Sequence, residues 1–383
     1  MASAQESQRT RRRHCSEVGD LIKFRPEENP KWRKEEDNVP PLDDMVREIV
    51  GFQAKWNLMK EKCNADVGSV QRQFLDKFIF HCNKEEDHGC DTLEDTQECL
   101  ASKKDYSDLS DKEKETVDLK NAYEYLLDVK EKEKDTKSHG MIEESMLRGA
   151  HKIILKSAPK NPHLTELGQY SDKQRYTTYK GEIHEYQMPD DMHRVVNNIL
   201  DRFNSLFEES QSRLAKSNSQ GSQTDEADAI SQGSQTDEAE DSQQLFDNTF
   251  KLLKTCSWLV FEMLDLHPFG DGNGRLCRLL CSYVLSTCTP FPTPIYNIWS
   301  TSSKDDYKDA LVEARKTEGR HPRALATMII ECSWYGWKEF LKHFPEVDTD
   351  EKPGNDASCP DIPEQERHSL EVEDSSLASV MSM

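Results

Sequence analysis

A histidine, an aspartate, three glycines and two arginines fall within one short string of this chain, His267-Pro-Phe-Gly-Asp-Gly-Asn-Gly-Arg275-Leu-Cys-Arg278. Pro268 disfavours helix at the residue before it, so a helix arriving at His267 should stop there and leave the imidazole at the mouth of a bundle. Phe269 can anchor the loop in a core. Gly270, Gly272 and Gly274 let the backbone turn tightly and approach a ligand. A Gly-rich turn that feeds the N-terminus of a helix is an anion site, because the free N–H groups of the first turn face the loop. Arg275 and Arg278 stand three apart on that helix and present two guanidinium groups on one side. Asp271 is a hard oxygen ligand suited to Mg²⁺. A base, a metal ligand, an anion cradle and an arginine clamp together make a phosphoryl- or nucleotidyl-transfer constellation.

Other loops of similar composition fail on spacing. The P-loop string G-x-x-x-x-G-K-[ST] is absent. Asp271-Gly-Asn273-Gly begins like a calcium loop, but that loop needs Asp or Asn at Arg275, Gly at Leu276 and Glu at Ser282.

Helices must position the string. Phe250, Leu252, Leu253, Trp258, Leu259, Val260, Phe261, Met263 and Leu264 place apolar residues on more than one face of a helix from Phe246 to Leu266, so it is central to a bundle. A second buried helix runs from Leu276 to Leu285, and two more lie around Tyr307–Arg315 and Pro322–Phe344. Helical spacing is also present from Pro41, through Val46, Ile49, Val50, Phe52 and Trp56, then Val70, Phe74, Phe78 and Ile79. It continues over Asp111–Lys130 and Glu143–Leu155. Arg175-Tyr-Thr-Thr-Tyr179 and Glu182-Ile-His-Glu-Tyr186 flank Lys180-Gly181, which predicts a small hairpin. A further helix starts after Pro189 and runs toward Phe207.

The string HPFGDGNGRLCR fits HxFx[D/E]GN[G/K]RxxR, the signature of the Fic (Fido) domain family, at every position. Gly168-Gln-Tyr, the hairpin and Met188-Pro189 resemble the family's flap region. Asp306-Tyr307-Lys-Asp-Ala310-Leu311 resembles the family's helix after the core loop. The resemblance covers residues 45–343 apart from an inserted repeat. It implies a mostly α fold, a Fic-type helical bundle with a small β-hairpin flap.

The resemblance also implies an activity, that of a protein adenylyltransferase passing AMP from ATP to a Ser, Thr or Tyr hydroxyl of a target protein and releasing pyrophosphate. His267 would be the catalytic base; its ordinary pKa of ~6.5 suits work near neutral pH. Asp271 would hold Mg²⁺. Gly272, Asn273 and Gly274 would cradle the phosphates through their N–H groups, with Arg275 on the β-phosphate and Arg278 on the γ-phosphate. Tyr307 either lines the adenine pocket or packs in the core. In the hairpin, Tyr179, Ile183 and Tyr186 would register the target as an added strand. Gly274 argues against the family branch with lysine there, which phosphorylates its target. The loop alone does not separate AMP transfer from phosphocholine transfer.

Many members restrain themselves with a helix carrying [ST]xxxE[GN]. The nearest string here is Cys82-Asn-Lys-Glu-Glu86-Asp87, followed by Thr92-Leu-Glu-Asp-Thr96. It departs from the pattern at Cys82 and Asp87, and from the common SNxIEG arrangement also at Glu85. Glu86 is the candidate partner of Arg278, or else part of an acidic helix end. With an inhibitory glutamate the alternative activity is removal of AMP from modified proteins. A non-catalytic nucleotide-binding interaction protein is a third reading, and an intact His267 and Asp271 speak against it.

Composition sets the surroundings. The chain has 383 residues, a net charge of −22, 32% charged and 35% hydrophobic residues. That balance describes a folded core diluted by polar segments, and its sign disfavours nucleic acid and anionic membrane surfaces as partners. No apolar run spans a membrane. The 11 cysteines form no C-x-x-C pair, and without a secretory signal they read as reduced thiols of the cytosol or nucleus. His81, Cys82, His88, Cys90 and Cys99 crowd one region without the paired spacing of a zinc module. Arg11–Arg13 read as a solvated arm or an import signal.

The expected organisation is a disordered arm over 1–40, a helical region with the inhibitory helix over 41–135, the Fic catalytic domain over 136–343 and an acidic disordered tail over 344–383. A flexible insertion over 209–244 carries SQGSQTDEAD and SQGSQTDEAE. Nothing in the sequence sets an oligomeric state.

Overall fold

A computed structural model describes residues 18–34, 38–60, 66–132, 141–158, 166–211 and 234–344. Its helices are α1 (Leu42–Met59), α2 (Val67–Lys84), α3 (Leu93–Ala101), α4 (Asp111–Lys132), α5 (Glu144–Ile154), α6 (Met192–Gln211), α7 (Ser234–Leu266), α8 (Asn273–Leu285), α9 (Lys304–Lys316) and α10 (Arg323–Leu341). Between α5 and α6 lies an antiparallel hairpin, β1 (Tyr176–Tyr179) and β2 (Glu182–Glu185), with Thr177 opposite His184 and Thr178 opposite Ile183. The fold is therefore mostly α.

The two helices that flank the loop are the centre of the bundle. α7 packs against α1, α6, α8 and α10, and α8 also packs against α4 and α5. Their all-round apolar sequence follows from that position: Trp258, Leu259, Val260, Phe261, Leu276, Leu279, Leu280 and Val284 are all buried. α5 is amphipathic instead and buries Met146, Leu147, Ala150, His151 and Ile154 on one face. Aromatic residues fill the seam between α1, α2 and α10, where Phe74 meets Phe291 at 5.1 Å and Trp56 meets Phe340 edge-on at 5.0 Å.

Several expectations change. Residues 18–34 of the expected arm pack on the body: Val18, Ile22 and Phe24 are buried, and Trp32 and Arg33 both bond the buried Glu331 carboxylate. The segment is tied to α10 and the turn before it: Phe24 stacks on His321 at 5.2 Å, and Thr327 and Arg323 bond back to Glu27 and Arg25. The helix expected from Phe246 starts at Ser234, so the second repeat copy is largely helical, and residues 209–211 complete α6. Residues 212–233 lie outside the described residues, as does the expected tail from 345. The described residues form one compact unit, so the region before 136 is part of the same body as the rest.

Candidate active site

α7 ends at Leu266, as the following proline requires, and His267 takes a left-handed φ of 50° while its N–H still bonds the Met263 carbonyl at 3.0 Å. The loop then staples itself. Asn273 accepts from the Phe269 N–H at 3.1 Å and donates to the Phe269 carbonyl at 2.8 Å. Asp271 Oδ1 accepts from the Gly272 N–H at 2.6 Å. Gly272 stands at φ 74°, where a Cβ is disfavoured, and starts α8. Phe269 is fully buried and anchors the loop from below.

One further side chain holds this loop, and sequence reasoning missed it. His151 of α5 stacks on Phe269 with ring centroids 3.8 Å apart. Its Nδ1 accepts from the Gly168 N–H at 3.1 Å, so Nε2 carries the proton and donates to the Asp271 carbonyl at 3.0 Å. Burial drives the His151 pKa down to about 4, which keeps the ring neutral. A lone histidine on an amphipathic helix carries no signal of this role in sequence.

A cavity of about 260 Å³ opens above the loop and is lined by His267, Asp271, Arg275, Arg278, Glu86 and Lys304 among others. Gly272, Asn273, Gly274 and Tyr307 also line it, so the predicted nucleotide residues converge. Arg275 and Arg278 are 2% and 1% exposed, so they are buried members of the wall rather than solvated arms. Arg278 donates to the Tyr296 hydroxyl at 2.7 Å, and that hydroxyl donates to Glu85 at 3.2 Å. Tyr307 stacks on Tyr296 at 4.6 Å, so it is both part of the wall and part of the core packing beneath Arg278. Tyr296 carried no signal in the sequence.

Burial first, and then the positive charge of Arg175, push the His267 pKa down to about 4. The imidazole is therefore neutral near neutral pH and can accept a proton. Tyr186 stacks on it almost parallel at 4.1 Å. Tyr186 thus lies against His267, beside the hairpin rather than on its strands. Arg175 donates to the Gln187 carbonyl at 2.6 Å and the Leu266 carbonyl at 3.4 Å, which ties the hairpin's base to the end of α7. Tyr179 is at the hairpin tip and donates to Asp309 of α9 at 3.0 Å, beside the Lys180–Asp309 pair at 2.7 Å. Ile183 is 75% exposed. A groove of about 400 Å³ runs between hairpin and α9, lined by Thr177, Tyr179, Ile183 and Val312.

Glu86 reaches the same cavity from the other side. Its Oε1 accepts from Arg278 at 2.7 Å, and its Oε2 is 3.9 Å from Lys304 Nζ. Burial works to raise its pKa; the attraction and hydrogen bond of Arg278, then Lys304 and Arg275, outweigh it and leave the pKa lowered. A Cβ on Gly274 would come within 2.4 Å of Glu86 Oε1, so the glycine leaves room for the carboxylate. The expected inhibitory helix is corrected in one respect: α2 ends at Lys84, and Glu86 is in the turn that follows. In that turn the Glu86 and His88 N–H groups share the Asn83 carbonyl, Asp87 takes φ 59° and Gly89 φ 70°. Glu115 of α4 accepts from the Gly89 N–H at 2.8 Å and meets His88 at 3.0 Å.

Cys82, Cys90 and Cys99 near the turn are buried. Cys82 is fully buried, and burial pushes its thiol up to about 12. The described residues contain no group of three or more His, Cys, Asp or Glu able to hold a metal. Asp271 is then a single carboxylate with Oδ1 already bonded to Gly272. One hard oxygen fits Mg²⁺, which keeps its waters and takes its other oxygens from substrate phosphates. No described helix is long and apolar enough to cross a membrane.

Comparisons with known proteins agree with this architecture. Residues 141–285 match the Fic/DOC family. A Fido domain-containing protein of Dictyostelium discoideum is 36% identical over 90 residues, 23% of this chain; the match spans 59% of that protein's length. A Fic domain containing signaling protein from Bacteroides thetaiotaomicron aligns with a TM-score of 0.50 at 18% identity, over 78% of this chain and 93% of that one. A Fic family protein from Desulfovibrio desulfuricans gives 0.54 at 15%, over 81% and 77%. Residues 134–508 of Fic-1 from C. elegans give 0.50 at 16%, over 79% and 72%. At these identities the solved structures bear on the fold alone.

Proposed function

The chain carries a Fic domain, of a family that generally transfers AMP or other nucleotide-derived groups onto proteins, and on that premise we propose that it is a protein adenylyltransferase acting on a Ser, Thr or Tyr hydroxyl. The observation that carries this reading is a neutral, buried His267 lining one cavity with Asp271, the start of α8 and two buried arginines.

His267 takes the proton of the incoming hydroxyl as that oxygen attacks the α-phosphorus of ATP and pyrophosphate leaves. Tyr186 and the neighbouring Arg175 keep the imidazole oriented and neutral until then. The N–H groups of Asn273 and Gly274 and the side chain of Arg275 receive the phosphate charge from positions set by α8, joined by the Gly272 N–H once it leaves Asp271 Oδ1 and by Arg278 once it leaves Glu86. Mg²⁺, held by Asp271, would supply charge neutralisation at the phosphates. Target backbone adds along the hairpin beside Ile183, and the groove against α9 takes its side chains.

The Glu86–Arg278 contact supports self-restraint, since a carboxylate on Arg278 would take the place expected for the γ-phosphate. The same contact favours a second reading, removal of AMP from a modified protein with Glu86 orienting water.

Purified protein and a lysate incubated with Mg²⁺ and ATP labelled at the α- or the γ-phosphate test these readings. Label from α-ATP alone, lost in His267→Ala and raised in Glu86→Gly, is the expected result. Label from γ-ATP would mean phosphorylation. No label even with Glu86→Gly would overturn the transferase reading and leave AMP removal to be assayed on modified substrate.

A further inference from the structure

The Glu86 carboxylate is an anion already seated in the cavity, and the side chains around it show what that position demands. One oxygen meets Arg278 at 2.7 Å and the other faces Lys304 at 3.9 Å, so two cations from two different elements flank it. Arg278 is buried at 1% exposure, and its other bond is to a neutral hydroxyl. Removing Glu86 would leave that charge without a counter-charge in the wall, which favours another anion in the same place.

Lys304 is set up for such a ligand. α9 opens with a capping box, in which the Ser303 N–H bonds Asp306 at 2.8 Å and the Asp306 N–H bonds Ser303 at 3.2 Å. That fixes the first turn of α9, from which Lys304 lines the cavity. Lys304, Lys308, Leu311 and Arg315 line the cavity from α9 at helical spacing. Arg315 is committed to Asp265 and Lys308 stands 3.8 Å from Asp305. Among the described residues the ion pair of Lys304 is the one with Glu86, so among the α9 cations lining the cavity it is the one that, like Arg278, loses its counter-charge when Glu86 moves.

We infer that Lys304 is a second binding residue, beside Arg278, for the terminal phosphate of a nucleoside triphosphate, so that it selects triphosphate over diphosphate donors. The inference rests on the adenylyltransferase reading and adds to it a residue outside the signature string. Lys304 is one-third exposed, so its contact gains strength only when a ligand closes the cavity against water.

Binding of ATP and ADP, each with Mg²⁺, is measured by calorimetry on the full chain carrying Glu86→Gly, alone and combined with Lys304→Met or Lys304→Arg. Lys304→Met should weaken ATP about tenfold, the loss expected for one charge-assisted contact, and leave ADP within about twofold. Lys304→Arg should recover most of the ATP affinity. Equal weakening of ATP and ADP, or no weakening, overturns the inference while the transferase reading stands. If the Glu86→Gly protein binds neither nucleotide, both fall together.

Discussion

Two short segments meet at Arg278 and are held in different ways. The loop from His267 to Arg275 is closed chiefly by its own side chains, Asn273 bonding both polar groups of Phe269 and Asp271 bonding Gly272, with neutral groups, the His151 ring and the Ser171 N–H, bracing it from outside. The turn from Glu85 to Gly89 has backbone bonds to Asn83, but its side chains are held by Glu115, Arg278 and Lys304, all distant in sequence. The Asn83 amide beneath it is buried and has no partner. A segment stapled locally keeps its shape whenever its neighbours are helical. A segment held by remote charges lets go when those charges find another anion. The contrast fits a permanent loop facing a releasable turn.

Acid should disturb both segments and give the largest effect. His267 and His151 beside the loop are pushed down to about 4, and His81 beneath the turn to about 3, each chiefly by burial. Unfolded imidazoles bind protons below ~6.5 while the folded ones refuse them, so stability is full above that pH and falls as pH drops toward 4. Each group should cost roughly 2 kcal/mol by pH 5. Urea midpoints between pH 7 and 5 measure this; a flat profile would contradict the buried neutral state of all three.

Asn273→Ala isolates the loop. It strands the buried N–H and carbonyl of Phe269, at a cost of about 2–4 kcal/mol, and α-label transfer should fall at least ~100-fold because the loop no longer aims its N–H groups. Retention of near-normal transfer would mean the helices alone set the loop's shape. Glu115→Ala isolates the turn and should do the least to stability, about 1 kcal/mol. Here transfer should rise a few-fold as Glu86 loosens from Arg278. A fall in parallel with Asn273→Ala would erase the distinction between the two segments.

The amino-acid sequence by itself determined the local part of the loop, which depends on residues within a few positions of one another: a proline that stops α7, glycines that permit the turn, an asparagine four residues from the groups it bonds. The helices on either side, the hairpin about Lys180-Gly181 and the central place of α7 were legible for the same reason, since periodicity and turn chemistry are local. Tertiary structure alone decided the rest. Nothing near His151 in sequence points to Asp271, which is 120 residues away; Lys304 lines the cavity from α9, while Tyr296 bonds Arg278 and Glu115 bonds Gly89, each from a separate element. Whether Glu86 belonged to a helix or a turn, and whether residues 18–34 were an arm or part of the body, also rested on distant faces. Packing of distant faces and pairing of buried charges depend on which elements come together, and no short window of sequence records that.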